Sequence, residues 1–137
     1  MEDKGISARA GPDHGRVEIP LRNERDVYKR QVCASVRIAS DDGSIGTHGF
    51  VDGVVREIIE QGNSFTAVLA CGPKPMLRAV AETAWTYGVP CQVSMEERMG
   101  CGVGACLVCA CRTSEGHMKH VCKDGPVFDA REVDWNE

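Results

Sequence analysis

The chain has 137 residues, a formal net charge of −4 and eight cysteines. That length allows one modest core, or a small domain with an appended module. Charges of both signs are interleaved with no basic stripe, which excludes nucleic acid as a partner; no apolar run approaches the roughly 18 residues of a membrane span, and no apolar N-terminal stretch suggests secretion, so the sequence reads as soluble and cytoplasmic.

Residues 1–31, "MEDKGISARAGPDHGRVEIPLRNERDVYKRQ", are rich in charge and lack a sustained helical or strand period. They are expected to form a poorly ordered or artefactual leader. From residue 32 the pattern sharpens. Val32, Ala34, Val36 and Ile38 alternate with Cys33, Ser35 and Arg37 as in a half-buried strand, and "SDDGSIGTHG" follows as a loop. Val51, Val54, Val55, Ile58 and Ile59 then share one helical face, with Gly62 placed to end the helix. "FTAVLA" is continuously apolar, as in a central parallel strand covered on both faces. "CGPKPM" breaks it, and helical spacing resumes at Met76, Leu77, Val80, Ala84 and Trp85, with Pro75 in the first turn and Gly88 at the end. "VPCQVSM" is a further strand. The order strand, helix, strand, helix, strand predicts an α/β fold with a three-stranded parallel sheet over residues 32–95, half of a doubly wound nucleotide-binding domain. Residues 96–137 form a cysteine-bearing module with too few apolar residues for an independent core.

Within that module Cys101, Cys106 and Cys109 are spaced CxxxxCxxC, with Cys122 thirteen positions further on. A disulfide framework is the weakest reading, because clustered cysteines without a secretory signal more often serve metal or redox chemistry. The first three match the plant-type [2Fe–2S] run, in which a compact loop presents three thiolates and a distant fourth completes the set. Soft iron with bridging sulfide prefers thiolates, and Gly100, Gly102, Gly104 and Ala105 let backbone amides approach the sulfurs. The alternative is zinc, with Cys106 and Cys109 joined by His117, His120 or Cys122, although zinc sites usually combine two separated two-ligand knuckles. "HMKH" lacks the two-box pattern of a Rieske centre, so both histidines read as solvent-facing. Cys111 reads as a small buried residue or a spare thiol. "CGPKPM" lies where an open parallel sheet meets its ligand, beyond a strand's carboxyl end, but no GxGxxG or GxxxxGK[ST] is present.

Taken together, "SDDGSIGTHGFV", "LACGPKPML", "VSMEERMGCGVGACLVCACRT" and "HVCKDGPVFDAREVDW" make the stretch from about Val32 to Trp135 similar to the electron-transfer subunits of two-subunit, NAD-linked bacterial dihydroorotate dehydrogenases. The resemblance implies an FAD-binding β-barrel, a nicotinamide domain of the ferredoxin-reductase type and a [2Fe–2S] module. It also implies a hetero-oligomeric partner, the FMN-containing catalytic subunit, and a place in pyrimidine biosynthesis. In that scheme Cys101, Cys106, Cys109 and Cys122 are the cluster ligands. Asp41, Gly43, Cys71, Gly72, Pro73 and Met76 fall on positions lining the nicotinamide and flavin crevice. The chain has no room for the barrel and lacks the glycine-rich first turn of the nicotinamide domain. It is therefore expected to be a C-terminal fragment in which only the cluster site is complete, with FAD and NAD implied by the family. Three further readings remain at this point. One is a structural zinc module that docks on a larger flavoenzyme; another is the iron-sulfur module of a different ferredoxin-reductase-like flavoprotein; the third is a truncated product whose sheet would leave an open edge and a bare apolar face.

Overall fold

A computed structural model describes residues 6–10, 17–21, 33 and 35–136. The elements in chain order are β1 (Ile6–Ala10), β2 (Val17–Leu21), β3 (Ser35–Ser40), β4 (Thr47–His48), α1 (Val51–Glu60), β5 (Phe65–Cys71), α2 (Lys74–Thr86), β6 (Cys91–Ser94), β7 (Ala110–Arg112), β8 (Met118–His120), α3 (Val121–Asp124) and β9 (Val127–Asp129). The expected strand at 32–38 begins later, at Ser35; Val32 and Ala34 lie outside the described residues.

Seven strands form one sheet in the order β4-β3-β2-β1-β5-β6-β9, and β7 and β8 form a separate two-stranded ribbon. β3, β5 and β6 run parallel to one another, as the alternation of strands and helices predicts. The sheet is nevertheless mixed rather than three-stranded and parallel, because two strands from the leader stand between β3 and β5. β1 pairs antiparallel with both β5 and β2, and β2 pairs parallel with β3. Each is a five-residue run embedded in charge, too short for its alternation to stand out. β2 also carries Pro20, opposite Arg37, and a proline in a sheet interior normally argues against a strand because it has no amide to donate. The partners on either side make these strands, not the local sequence.

Both predicted helices form, with the predicted ends. Gly62 (φ +85°) donates its N–H to the Ile59 carbonyl at 3.0 Å, and Gly88 (φ +69°) to the Trp85 carbonyl at 3.1 Å. Pro73 caps α2 and Pro75 occupies its first turn. Val55, Leu77, Val80, Ala81 and Ala84 of the helices pack on Val68 and Ala70 of β5 and on Cys91 and Val93 of β6. Val54 and Ile58 form a smaller cluster with Ala39 of β3. Burying a side chain such as Leu77 or Val80 contributes about 1.5–3 kcal/mol each.

The expectation that β5 is covered on both faces is met on one face only. Val68 and Ala70 on one face are buried, whereas Ala67 and Leu69 on the other are only half-buried, and Gln92 of β6 is exposed. Both helices lie on the same side of the sheet, and that explains the asymmetry.

Residues beyond β6 share this core. Cys109, Cys111, Val121, Phe128, Ala130 and Val133 belong to the same buried cluster as Val68 and Leu77. β9 extends the sheet antiparallel to β6, with Phe128 opposite Val93. At the junction Cys91 is almost wholly buried, and burial, helped by the charge of Asp129, pushes its thiol up to about 11.

Below pH 9 the Cys91 thiol is protonated in both folded and unfolded chains; between about 9 and 11 only the unfolded chain releases the proton, so stability falls as pH rises through that window. The loss attributable to Cys91 is at most about 3 kcal/mol. Denaturant unfolding between pH 8 and 11 should show a shallower alkaline decline in Cys91→Val than in the unsubstituted chain.

Candidate metal centre

The chain leaves the carboxyl end of β6 at Ser94, buries Met95, and then runs over the surface as a loop to Cys109. Glycine shapes this loop for a steric reason. A Cβ on Gly100 would stand 2.8 Å from the Cys106 sulfur, so a side chain there would push that sulfur out of place. Past it the chain folds around the Cys101 sulfur, which accepts N–H bonds from Val103 at 3.4 Å, Ala105 at 3.2 Å and Cys106 at 3.4 Å. These donors hold the exposed Cys101 thiol down to about 6, well below an ordinary cysteine, because each favours the thiolate. The thiol of Cys106 also bonds that sulfur.

The other two cysteines lie further in. Cys109 opens onto β7 and is 2% exposed, while Cys122 is carried by α3 and half-buried. The Cys109 and Cys122 thiols share a hydrogen bond at 3.2 Å, in which Cys122 holds its proton more tightly, and Val121 N–H donates to the Cys109 carbonyl at 3.0 Å. That thiol contact, then burial, raises the Cys122 thiol, opposed by the Gly104 amide that faces its sulfur. Cys101 and Cys122 also feel each other's charge. The four thiols thus gather as two neighbouring pairs, Cys101 with Cys106 outside and Cys109 with Cys122 inside.

Two pairs of thiolates suit a two-iron rhomb, in which each iron takes two cysteine sulfurs besides its bridging sulfides. They suit a single tetrahedral ion less well. Among the described residues no group of three or more histidine, cysteine or acidic side chains is arranged to hold one ion. His117 is exposed, and the His120 Nδ1 stands 3.7 Å from Asp124 Oδ2. No two of the eight cysteines are joined by a disulfide. Cys111 is buried in the core on β7, the ordinary packing role.

The crevice residues divide into two groups. Cys71 ends β5 and is in register with Ser94, the last residue of β6; Gly72, Pro73 and Met76 follow into α2. This turn therefore adjoins the root of the cysteine loop. Asp41 and Gly43 lie in the loop after β3, three strand positions away, about 14 Å across the sheet. That loop is held by its own bonds: Asp42 Oδ1 accepts from the Ser44 hydroxyl at 2.7 Å and its N–H at 3.0 Å, and the Ser40 hydroxyl donates to the Ile45 carbonyl at 2.8 Å.

Sequence spacing did not reveal the loop's exposed apolar rim, Met99, Val103, Leu107 and Val108. Val103 is 72% exposed and Leu107 62%, the latter in the left-handed region at φ +61°. Alone among the loop's left-handed residues, Leu107 is not glycine, and nothing in its one-dimensional pattern signals that conformation.

In the metal-free chain, iodoacetamide should alkylate Cys101 first, at a rate that levels off above about pH 7 because the thiolate is already formed. Cys91 should stay unmodified. Peptide mapping of labelled protein against pH checks both, and a Cys101 rate still climbing towards pH 9 contradicts the arrangement.

Comparison with known proteins gives a consistent result. Residues 96–134 match the family described as the iron-sulfur cluster binding domain of dihydroorotate dehydrogenase B. The chain is 46% identical over 110 residues to the electron transfer subunit of dihydroorotate dehydrogenase B (NAD(+)) from Caldanaerobacter subterraneus, covering 78% of this chain and 43% of the relative. It is 54% identical over 98 residues to the subunit of the same name from Geobacillus thermodenitrificans, covering 70% and 36%. It is 52% identical over 110 residues to that from Bacillus caldolyticus, covering 77% and 41%. A solved structure of an NADH-dependent reduced ferredoxin-NADP oxidoreductase, described for flavin-based electron bifurcation, superimposes with a TM-score of 0.68 at 30% identity, over 81% of this chain and 39% of that one. The chain spans about two-fifths of the length of the curated relatives it matches. With its cysteine module, its ferredoxin-reductase-like α/β fold and these likenesses, the chain belongs to the family of electron-transfer subunits of NAD-linked dihydroorotate dehydrogenase.

Proposed function

We propose that this chain holds a [2Fe–2S] cluster on Cys101, Cys106, Cys109 and Cys122 and passes electrons between a dihydroorotate-oxidising subunit and an NAD-reducing flavin, in pyrimidine biosynthesis. The observation that carries the reading is the gathering of these four thiols into two pairs on one surface loop and the helix behind it. When bound, the cluster supplies one-electron transfer. The protein's own part is to orient and to exclude. The Val103, Ala105 and Cys106 amides stabilise negative charge on the Cys101 sulfur, and the shared core keeps water from Cys109.

The partner is the FMN-containing catalytic subunit, forming a hetero-oligomer with this chain. The exposed rim of Met99, Val103, Leu107 and Val108 supports it, because apolar side chains around a redox site offer a surface to be covered. Cys71, Gly72, Pro73 and Met76, with Asp41 and Gly43 across the sheet, form the FAD and NAD side. Their support is position: these loops lie at the carboxyl ends of parallel strands, where such folds take their nucleotides. Among the described residues no helix is long and apolar enough to cross a membrane. The absence of disulfides supports a reducing compartment, the cytoplasm.

Anaerobic treatment with iron and sulfide should give a coloured protein with about two irons and two sulfides per chain, and a paramagnetic signal after one-electron reduction. Serine at Cys101, Cys106, Cys109 or Cys122 should abolish or destabilise it, whereas Cys111→Ser should retain it. A colourless protein with one zinc per chain overturns the reading. Val103→Asp and Leu107→Asp should each keep the colour but weaken co-purification with the catalytic subunit by about tenfold or more; undiminished association removes the rim from the interface.

A further inference from the structure

We propose that Lys123 is a positioning residue that straps the outer part of the cysteine loop to α3 and sets a positive charge beside the sulfurs. The proposal rests on the ligand assignment above. The four sulfurs come from two pieces of chain, the loop from Cys101 to Cys109 and the helix carrying Cys122. On the inner side these pieces are tied by Val121 N–H to the Cys109 carbonyl and by the contact between the Cys109 and Cys122 thiols. α3 has only four residues, too few to fix its own position, so the outer side needs a tie of its own.

Gly104 is where that tie is made. Its amide faces the Cys122 sulfur, and the Lys123 stem runs directly over it. A Cβ on Gly104 would stand 2.9 Å from Lys123 Cδ and 3.3 Å from Lys123 Cβ. The second distance is decisive, since Cβ is fixed to the helix backbone and cannot swing aside as a side-chain end can. With φ at +80° as well, any side chain at this position is both crowded and strained. Neighbouring Gly102 is also left-handed, at φ +73°, yet a Cβ there would meet nothing within 4 Å. Gly104 is thus the point in the loop where backbone approaches the helix, and the aliphatic part of Lys123 is what it approaches.

A lysine stem on that spot also keeps its charge near the loop, where it acts on the Asp124 carboxylate as well. The ammonium is two bonds beyond Cδ, so it stays at the surface of the loop while the methylenes cover the glycine. The other lysine of this region is committed elsewhere: Lys119 Nζ bonds Glu132 Oε2 at 2.7 Å and stands 5.7 Å from the Phe128 ring centre. A cluster held by four thiolates is negative and becomes more so on reduction, so a nearby cation favours the reduced form. Lys123 thereby joins two tasks in one side chain, closing the cage with its stem and adjusting its potential with its head.

Two substitutions in the full chain separate the tasks. Lys123→Met keeps the stem and removes the charge; Lys123→Ala removes both. After anaerobic cluster assembly, the midpoint potential is measured by spectroscopic titration at low and high salt, and cluster lifetime by decay of colour in excess chelator. K123M should titrate at a lower potential than the unsubstituted chain at low salt, with the difference shrinking at high salt, and should keep its colour as long. K123A should show the same lowered potential and lose its cluster about tenfold faster. A K123M midpoint equal to that of the unsubstituted chain overturns the electrostatic role, and a K123A lifetime equal to it overturns the strap. Failure of the unsubstituted chain to take up any cluster overturns the ligand assignment itself, and this proposal with it.

Discussion

The return of the chain to β6 is the constraint on which the cysteine site depends. Residues 95–126 leave the sheet and come back beside the strand they left: Met95 N–H donates to the Pro126 carbonyl at 2.9 Å, Ala130 N–H to the Cys91 carbonyl at 2.9 Å, and Phe128 pairs with Val93 between them. Closing an excursion of that length has an entropic cost that grows only slowly with the number of residues, and the burial of Phe128 and Val121 against the main core offsets it. Gly125 shows how tight the closure is. A Cβ there would stand 2.5 Å from the Phe128 ring, so the last turn before β9 requires glycine for the aromatic anchor to seat. Without the return, Cys122 would have no fixed relation to the loop bearing the other three thiols.

Within the closed excursion the two thiol pairs meet different surroundings, and their acidities diverge accordingly. The outer Cys101 sulfur is exposed but ringed by three N–H donors, which lower its thiol. The inner pair shares one proton-mediated contact beside buried Val121, and Cys122 is raised. Backbone dipoles therefore support negative charge at the outer edge, while the core supports geometry at the inner edge. The glycines serve the first arrangement and the apolar residues of β7, α3 and β9 the second. This division explains why so small a module can present four thiols without a core of its own: its inner half borrows the core built by β5, β6 and α2.

The sequence was most legible where a feature is local. The CxxxxCxxC spacing confines three thiols to one loop whatever the rest of the chain does, and the helical faces of α1 and α2 and their terminal glycines appear where 3.6-residue spacing and left-handed ends predict them. Features created by distant partners were not legible. β1 and β2 exist because β5 and β3 offer them edges, a relation that five-residue alternations and a proline at position 20 conceal. The one-sided burial of β5 depends on where two helices settle, which a continuously apolar run cannot encode. Lys123 looks like an ordinary solvated charge until Gly104 is seen beneath its stem.

The two strands between β3 and β5 also change what the two halves of the molecule can do together. Cys71 stands next to Ser94 in register, so the turn into α2 and the root of the cysteine loop form one continuous edge. The loop carrying Asp41 and Gly43 reaches the same edge only across β2 and β1. Any ligand engaging both loops must therefore span the width of two inserted strands, whereas one seated on the Cys71–Met76 turn alone already adjoins the cysteine loop. The site thus joins a glycine-bearing edge shared with the sheet to a loop that exposes Met99, Val103, Leu107 and Val108. At Leu107 the backbone takes a left-handed turn that costs an L-residue about 1–2 kcal/mol. The neighbouring glycines avoid that cost, so what leucine adds at this point is an apolar side chain held out towards solvent at the edge of the redox site.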